Sequence, residues 1–509
     1  MNMQVSRLLR ATAALLIASA FGGCAVGPDF FRPKPPETDR YAIGLPEGTV
    51  DAGGAAGAAQ RFVAGMDLPG QWWTLFRSPA LNRLVEASLR ANPSLPAAEA
   101  ALRQANEAVR AQRGLYYPQV QLGVAPTRQR TPTGTLASNL ASGDSVYNLV
   151  TAQVSVSYAP DVFGLNRRTV ESLEAQADVQ RAQLAATYVS LTTNVVQAAI
   201  QEASLRGQIE ATQQIVAIQQ ESLQIFRKQY ALGAIAYTDV AAQETALAQA
   251  RAAVPALKKQ LAIQRDLISA LAGRMPFDEP TETFDLASLE LPRELPIGLP
   301  ARLVERRPDV RAAEAILHSA SAQIGVAVAN TLPLTSITAN WGGTATELAS
   351  LFSTGNIFWG LGANLAQTLF SGGTLQARKR GAEAAFDQAS AEYKGTVIGA
   401  FQNVADSLRA LQYDAEAVEA QAAAERAAEQ SLELVRKAVD LGAQGYLALL
   451  NAQQALQQTR LALVQARASR YADTVALFQS LGGGWWESGL ATLSGVNGDN
   501  APGRAGVAK

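Results

Sequence analysis

The chain has 509 residues, 48% of them hydrophobic and 17% charged, a length that allows several domains. Its 43 basic and 44 acidic side chains leave a formal charge of -1, which removes the electrostatic case for nucleic acid as a partner, because such binding rests on clustered positive charge. One cysteine and one histidine argue against a disulfide framework, a thiolate cluster or a multi-histidine metal site. The charged fraction lies below the usual ~25%, so the surface is mild, lipid-facing or shared with copies of itself.

The chain starts as an address. Arg7 and Arg10 precede the apolar run ATAALLIASA at 11–20, and Phe21, Gly22 and Gly23 precede Cys24. A basic start, a short apolar stretch and small residues describe a secretory signal, here 1–23. The cysteine after the small residues resembles the bacterial lipobox, with Phe21 bulkier than its usual first residue. That resemblance implies cleavage before Cys24 and acylation of it, a covalent lipid being the only attached group expected. Ala25 in place of the aspartate usual in inner-membrane lipoproteins favours the outer membrane. No later segment holds 18 uninterrupted apolar residues, so no transmembrane helix is expected. Residues 24–66, with Pro28, Pro33, Pro35, Pro36, Pro46 and the run DAGGAAGAAQ at 51–60, read as an extended, acylated tether that cannot offset its chain entropy with a core of its own.

The remainder is a duplication. NPSLPAAEAAL at 92–102 returns as RPDVRAAEAIL at 307–317, and RKQYALGAIAYTDVAAQETALAQAR at 227–251 returns as RKAVDLGAQGYLALLNAQQALQQTR at 436–460. The first repeat covers 67–274, a linker 275–300, the second repeat 301–484 and a tail 485–509. Each repeat opens with a helix: Asn92 caps the first, and Pro308 with Asp309 starts the second. Pro96 is awkward, since the N–H it lacks is expected to be the first bonded one.

The period then becomes two. Val120, Leu122 and Val124 alternate with Gln119, Gln121 and Gly123, and Val150, Ala152, Val154, Val156 and Tyr158 with Thr151, Gln153, Ser155 and Ser157. The second copy does the same through Ile337, Ala339 and Trp341 and through Ile357, Trp359, Leu361, Ala363 and Leu365. Hairpins at 118–159 and 334–369 follow. Strands of this length either cross a bilayer at a tilt or cover a soluble core, and periodicity alone does not separate the two. The count adds a condition: four strands cannot close a barrel, for which about eight are needed, and an open edge in lipid is expensive. Membrane strands would have to be pooled by several chains, three of which supply twelve strands.

Very long helices follow each hairpin. Residues 166–231 hold no proline and only Gly207, enough for a helix of about 100 Å. Its partner carries the heptad Val240, Leu247, Val254, Leu261 and Ile268, and the second copy has Leu449, Leu456, Leu463 and Leu477, with Arg470 interrupting. Sustained heptads predict coiled-coil-like packing, with Pro255 expected to kink the first copy. The helical turns fall near 232–237 and 441–446.

Trp72 and Trp73 ahead of Phe76 and Pro79, YAPDVFGLNRR at 158–168, GLPARLVERRPDVRAAE at 298–314 and LFSGG at 369–373, together with the lipobox, resemble the outer-membrane factors. These are the TolC-like exit ducts of tripartite efflux systems, and the resemblance is to the lipoprotein branch typified by OprM and NodT, over residues 24–484. It implies an α+β membrane protein, a strand-hairpin and long-helix protomer repeated twice, and a homotrimer with a twelve-stranded outer-membrane β-barrel continued by a periplasmic α-helical barrel. Loops near 126–148 and 342–356 would face outside the cell, and 275–300 would girdle the tunnel. Gly233, Ala234, Gly442 and Ala443 match the turns that dock a periplasmic adaptor, itself joined to an inner-membrane pump of RND type. As residues alone, these glycines are equally turn formers. Leu447 matches the apolar constriction of the closed end; Asn451 and Gln444 stand where charged gate residues occur, and Asp239 matches the acid of the first turn. Asp239 reads equally as a solvated acid at a helix start.

No metal site and no nucleophile–base–orienter set is found. His318 reads as structural, GLGAN at 360–364 lacks the lysine and helix start of a phosphate loop, and ERRPD reads as a salt-bridge patch, so an enzyme is not expected. The functional expectation is a passive outer-membrane duct for toxic small molecules. The alternatives are the duct of a type I protein secretion system and a non-channel structural lipoprotein of the envelope.

Overall fold

The computed structural model describes residues 25–38, 40, 41, 43, 44, 47–54, 56–130, 146–279 and 281–487. Cys24 and the signal, most of the loop after the first strand of the first hairpin, and the tail from 488 lie outside the described residues. The chain divides into two compact units.

The first unit contains residues up to Pro33, 102–180 and 313–393. Its centre is one antiparallel sheet of β2 (Gln119–Arg130), β3 (Val146–Tyr158), β5 (Leu334–Ala345) and β6 (Ile357–Ala366), in the order β2-β3-β5-β6. The two hairpins therefore sit side by side, joined by β3 and β5 from Tyr158↔Ile337 to Val150↔Ala345. Helices α2 (Ser94–Arg113), α3 (Leu165–Ala231), α6 (Pro308–Ala329) and α7 (Thr374–Asp440) contribute their sheet-adjoining parts.

The strands run further than their alternation suggested. β2 continues to Arg130 through Pro126, which pairs with Val150, and β5 to Ala345, so part of each expected loop is strand. Pro126 is tolerated because β2 is an edge strand of the protomer's sheet, where a missing donor breaks no ladder within the chain. On β5, a Cβ at Gly342 would stand 2.3 Å from the Ala152 oxygen and one at Gly343 2.1 Å from the Leu351 oxygen, so only glycine lets the sheet and its loop close up there.

Helix α6 is long and apolar enough, by length and mean hydropathy (1.2), to cross a membrane. It is a packed helix instead: Ala315, Leu317 and Ala322 are buried, while Glu314 pairs with Arg32 at 2.8 Å and His318 with Glu171 at 3.0 Å.

The second unit contains 34–101, 181–312 and 394 onward. Here β1 (Arg61–Ala64) pairs in parallel with β4 (Glu294–Ile297), and α1 (Pro79–Ala91) and α5 (Pro300–Arg306) flank the remaining lengths of α3 and α7 with α4 (Tyr237–Leu271) and α8 (Tyr446–Ser480). The duplication is exact in length: α3 and α7 have 67 residues each, α4 and α8 have 35 each. Val240, Leu247, Ile268, Leu449, Leu456, Leu463 and Leu477 are all buried, as heptad packing requires. Helix α4 runs on through Pro255. Pro96 is likewise accommodated, because α2 starts at Ser94 and the third position of a helix has no bonded N–H.

Trp72, Trp73 and Phe76 are buried in a short 3₁₀ turn, with Trp72 against Phe478 at 5.5 Å and Phe76 against Tyr471 at 6.2 Å. The ERRPD segment is structural. Arg306 and Arg302 grip Asp67, whose carboxyl the Arg306 hydrogen bond holds below its ordinary range, and Arg307 donates to the Ser480 oxygen at 2.9 Å. Arg470 is fully buried rather than merely interrupting a heptad: its Nη2 donates to the Ala58 oxygen at 2.7 Å and to Thr49 Oγ1 at 2.9 Å.

Candidate functional site

Two regions present chemistry that the protomer does not use on itself: the helical turns of the second unit and the sheet of the first.

The two turns are copies of one motif. At the end of α3 the Gly233 amide donates to the Tyr230 oxygen and the Ala234 amide to Gln229, both at 2.9 Å; at the end of α7 the Gly442 amide donates to Val439 at 2.9 Å and Ala443 to Ala438 at 2.8 Å. Gly233 and Gly442 both have φ +74°, the left-handed helix stop that a Cβ disfavours. A Cβ on either would meet nothing within 4 Å, so both surfaces are open. Around them Leu232 and Leu441 are each 84% exposed. Large apolar side chains thus face outward at two equivalent turns.

Behind the turns, Leu223, Phe226, Val240, Leu247, Val439 and Leu449 form one apolar cluster. Tyr446 packs edge-on against Phe226 at 4.2 Å and its hydroxyl is hydrogen-bonded to Gln229. Below the cluster lies a polar layer. Gln453 and Gln243 are buried, Gln453 Nε2 donating to Ser222 Oγ at 2.8 Å and Gln243 Nε2 to the Gln219 oxygen at 3.1 Å. Ion pairs Arg227–Glu244 and Arg436–Glu221, both 2.7 Å, tie α4 and α7 to α3.

Of the sequence-derived gate residues, Leu447 is 70% exposed, Asn451 is exposed one turn along the same helix, Gln444 is exposed in the turn, and Asp239 is half-buried in the first turn of α4. No described contact joins Asp239 to Gln444. The glutamine layer and the Tyr446–Gln229 contact escaped the sequence reading; glutamine between buried heptad leucines was the available signal.

Further along α3, α4 and α8, an open groove of about 880 Å³ is lined by amides, among them Asn194, Gln197, Gln201, Gln260, Gln264 and Gln465, and by no charged side chain.

In the sheet, register assembles the alternating residues into rows. Leu122, Val154, Trp341 and Trp359 stand opposite one another across all four strands, as do Val120, Val156, Ala339 and Leu361. The rows between them are polar or small: Gln121, Ser155, Asn340 and Gly360, then Gln119, Ser157, Thr338 and Gly362. Neighbours directly opposite share a face, so one whole face is apolar and the other polar. The apolar face is open, with Leu122 76%, Leu361 73% and Trp359 77% exposed. Strands β2 and β6 each have one unpaired edge. The strands have 10 to 13 residues, the length a tilted strand needs to cross a bilayer. Among the described residues no group of three or more His, Cys, Asp or Glu is arranged to hold a metal.

The model of the outer membrane efflux protein family matches residues 84–274 and 299–483. The chain is 29% identical over 476 residues to the probable efflux pump outer membrane protein TtgC of Pseudomonas putida, covering 93% of this chain and 95% of that one. It is 30% identical over 430 residues to the pyoverdine export outer membrane protein OpmQ of the same species, covering 82% and 89%. Among solved structures it superposes on the outer-membrane channel OprN with a TM-score of 0.79 at 28% identity, covering 91% of this chain and all of that one. The Campylobacter jejuni CmeC channel, 20% identical with a TM-score of 0.82 over 92% of this chain and 97% of that one, shares the fold. Matched across both repeats and superposing on an outer-membrane channel, the chain belongs to the outer membrane efflux protein family and is an outer-membrane channel subunit of an efflux pump.

Proposed function

We propose that three copies of the chain join β2 of one to β6 of the next, closing a twelve-stranded barrel through which toxic small molecules leave the cell passively. The observation that carries this is the four-stranded sheet with one open apolar face and two unpaired edges. Lipid covers the apolar rows at no loss, whereas each unpaired backbone group in hydrocarbon costs several kcal/mol, so closure requires neighbours. The helices continue the conduit in the periplasm. The exposed turns at Gly233, Ala234, Gly442 and Ala443 receive a periplasmic adaptor, which couples the duct to an RND-type inner-membrane pump. Leu447, with Asn451, Gln444 and Asp239, faces copies of itself and narrows the periplasmic end. Acyl chains on Cys24 add an anchor in the outer membrane.

The duct performs no catalysis. Relatives named for antibiotic efflux, toluene efflux and pyoverdine export support a conduit that does not select its cargo, leaving selection to the pump. Detergent-extracted protein tests the reading. A mass of three chains and single-channel conductance in planar bilayers are expected; a delipidated monomer that stays in solution without detergent overturns it.

A further inference from the structure

The sheet-bearing unit holds a feature that conduction does not require. The segment just after Cys24 lies in a built seat. Arg168, whose side chain is 5% exposed, spends its fork almost entirely on this segment. Its Nε donates to the Val26 oxygen at 3.0 Å, and Nη2 donates to Asp29 Oδ1 at 2.8 Å and to the Gly27 oxygen at 3.3 Å. Its Nη1 donates to Glu171 at 2.7 Å. Glu171 in turn meets His318 at 3.0 Å, and His318 stacks on Phe30 at 4.3 Å with 15° between the rings. Arg32 closes the row with Glu314 at 2.8 Å.

The backbone fits as closely as the side chains. The Val26 amide donates to the Phe163 oxygen at 3.2 Å. A Cβ on Gly27, whose φ is +94°, would stand 2.4 Å from the Gly325 Cα, and one on Gly164 2.6 Å from the Ala25 Cα. Three glycines thus admit main chain where any side chain would exclude it. Phe163 and Gly164 lie in the short connection between β3 and α3, at the end of the sheet where the helices attach.

We propose that Ala25–Arg32 is a docked segment of the mature chain, and that Arg168 is the positioning residue that holds it, and with it the anchor on Cys24, at the helix-bearing end of the sheet. This rests on the lipid-anchor reading above. The dependence is mutual. Without the segment, a buried guanidinium keeps a charge and loses three acceptors. Without the guanidinium, the Val26 and Gly27 carbonyls and the Asp29 carboxylate lose their donor. Lysine cannot replace it, because an ammonium on a flexible stem does not reach three diverging acceptors at once.

Hydrogen exchange of residues 25–32 in detergent-solubilised trimers tests this, with intact-mass measurement of the N-terminal peptide alongside. The native segment is expected to exchange slowly. In Arg168→Ala and in Arg168→Lys its exchange is expected to be at least about tenfold faster, with sheet peptides unchanged. Gly27→Val, which leaves Arg168 in place, should release the segment equally, and it decides the matter if the arginine variants fail to assemble. Protection unchanged in Gly27→Val and in either arginine variant overturns the proposal. A protected, Arg168-dependent segment on a chain without acyl groups supports the seat and removes only the lipid-anchor reading.

Discussion

Gly442 separates two roles that one residue can play. Its φ of +74° requires a residue at ease in the left-handed region, and asparagine is the non-glycine residue that tolerates it best. Gly442→Asn therefore keeps the turn and adds a side chain to an open surface. Trimers should form normally, and drug resistance of a deletion strain carrying the variant should fall; full resistance would reduce the glycine to a turn former. Leu447 makes a parallel case. It is 70% exposed, so Leu447→Ser should leave stability within about 0.5 kcal/mol yet raise ion leakage through bilayer-inserted protein; unchanged conductance places the constriction elsewhere. Asp414 sets a pH dependence. Burial, then a hydrogen bond and like charge from Asp473, push its carboxyl up to about 7 against the pull of Arg470. The folded chain keeps a proton that the unfolded chain releases near 4. Stability from this group is complete below about 4 and is lost as pH rises through about 7. Asp414→Asn should melt higher than the native protein at pH 8 and lose that advantage near pH 5, which thermal scans across that range would read.

At the level of elements, the long helices were legible because their pattern is local. The proline-free run at 166–231 became α3, and the heptad residues turned inward except Val254 and Leu261, which are half-buried. What was not legible was how a helix treats an exception. Pro255 stays within α4, and Arg470, at a heptad position, is buried with main-chain oxygens from a distant segment accepting from its Nη1 and Nη2. Gln453 is a third exception: fully buried, it ties α8 to Ser222 of α3. Gln453→Leu removes the donor that Ser222 Oγ accepts and the Oε1 that receives Gln243 Nε2 at 3.5 Å, and should destabilise by about 1–3 kcal/mol, measurable by denaturant unfolding in detergent. The sheet provides the sharpest contrast. Val154 lies mid-strand in an apolar row and Ser155 in the polar row beside it. Val154→Arg should cost about 2–4 kcal/mol if its row faces lipid and deplete trimers from membranes. Ser155→Arg should assemble and change conductance; equal tolerance of both would mean that neither face meets hydrocarbon.

For the whole molecule, the duplication governs the result: two helices of 67 residues and two of 35, with two hairpins in one sheet. Composition, internal repetition and the switch of period from two to heptads were sufficient to read the repeated α+β protomer, because each depends on neighbours within a few residues along the chain. Tertiary structure alone decided which strands pair between hairpins, how far β2 and β5 extend, that the apolar α6 is a packed helix, and that residues 25–32 are seated on Arg168. Except for the extension of β2, which pairs with β3 across its own hairpin, each of these depends on groups more than a hundred residues apart or on the room a missing Cβ leaves. Neither is written in a local pattern, since a buried arginine and a surface arginine are the same letter until the carbonyls that receive one of them are in place.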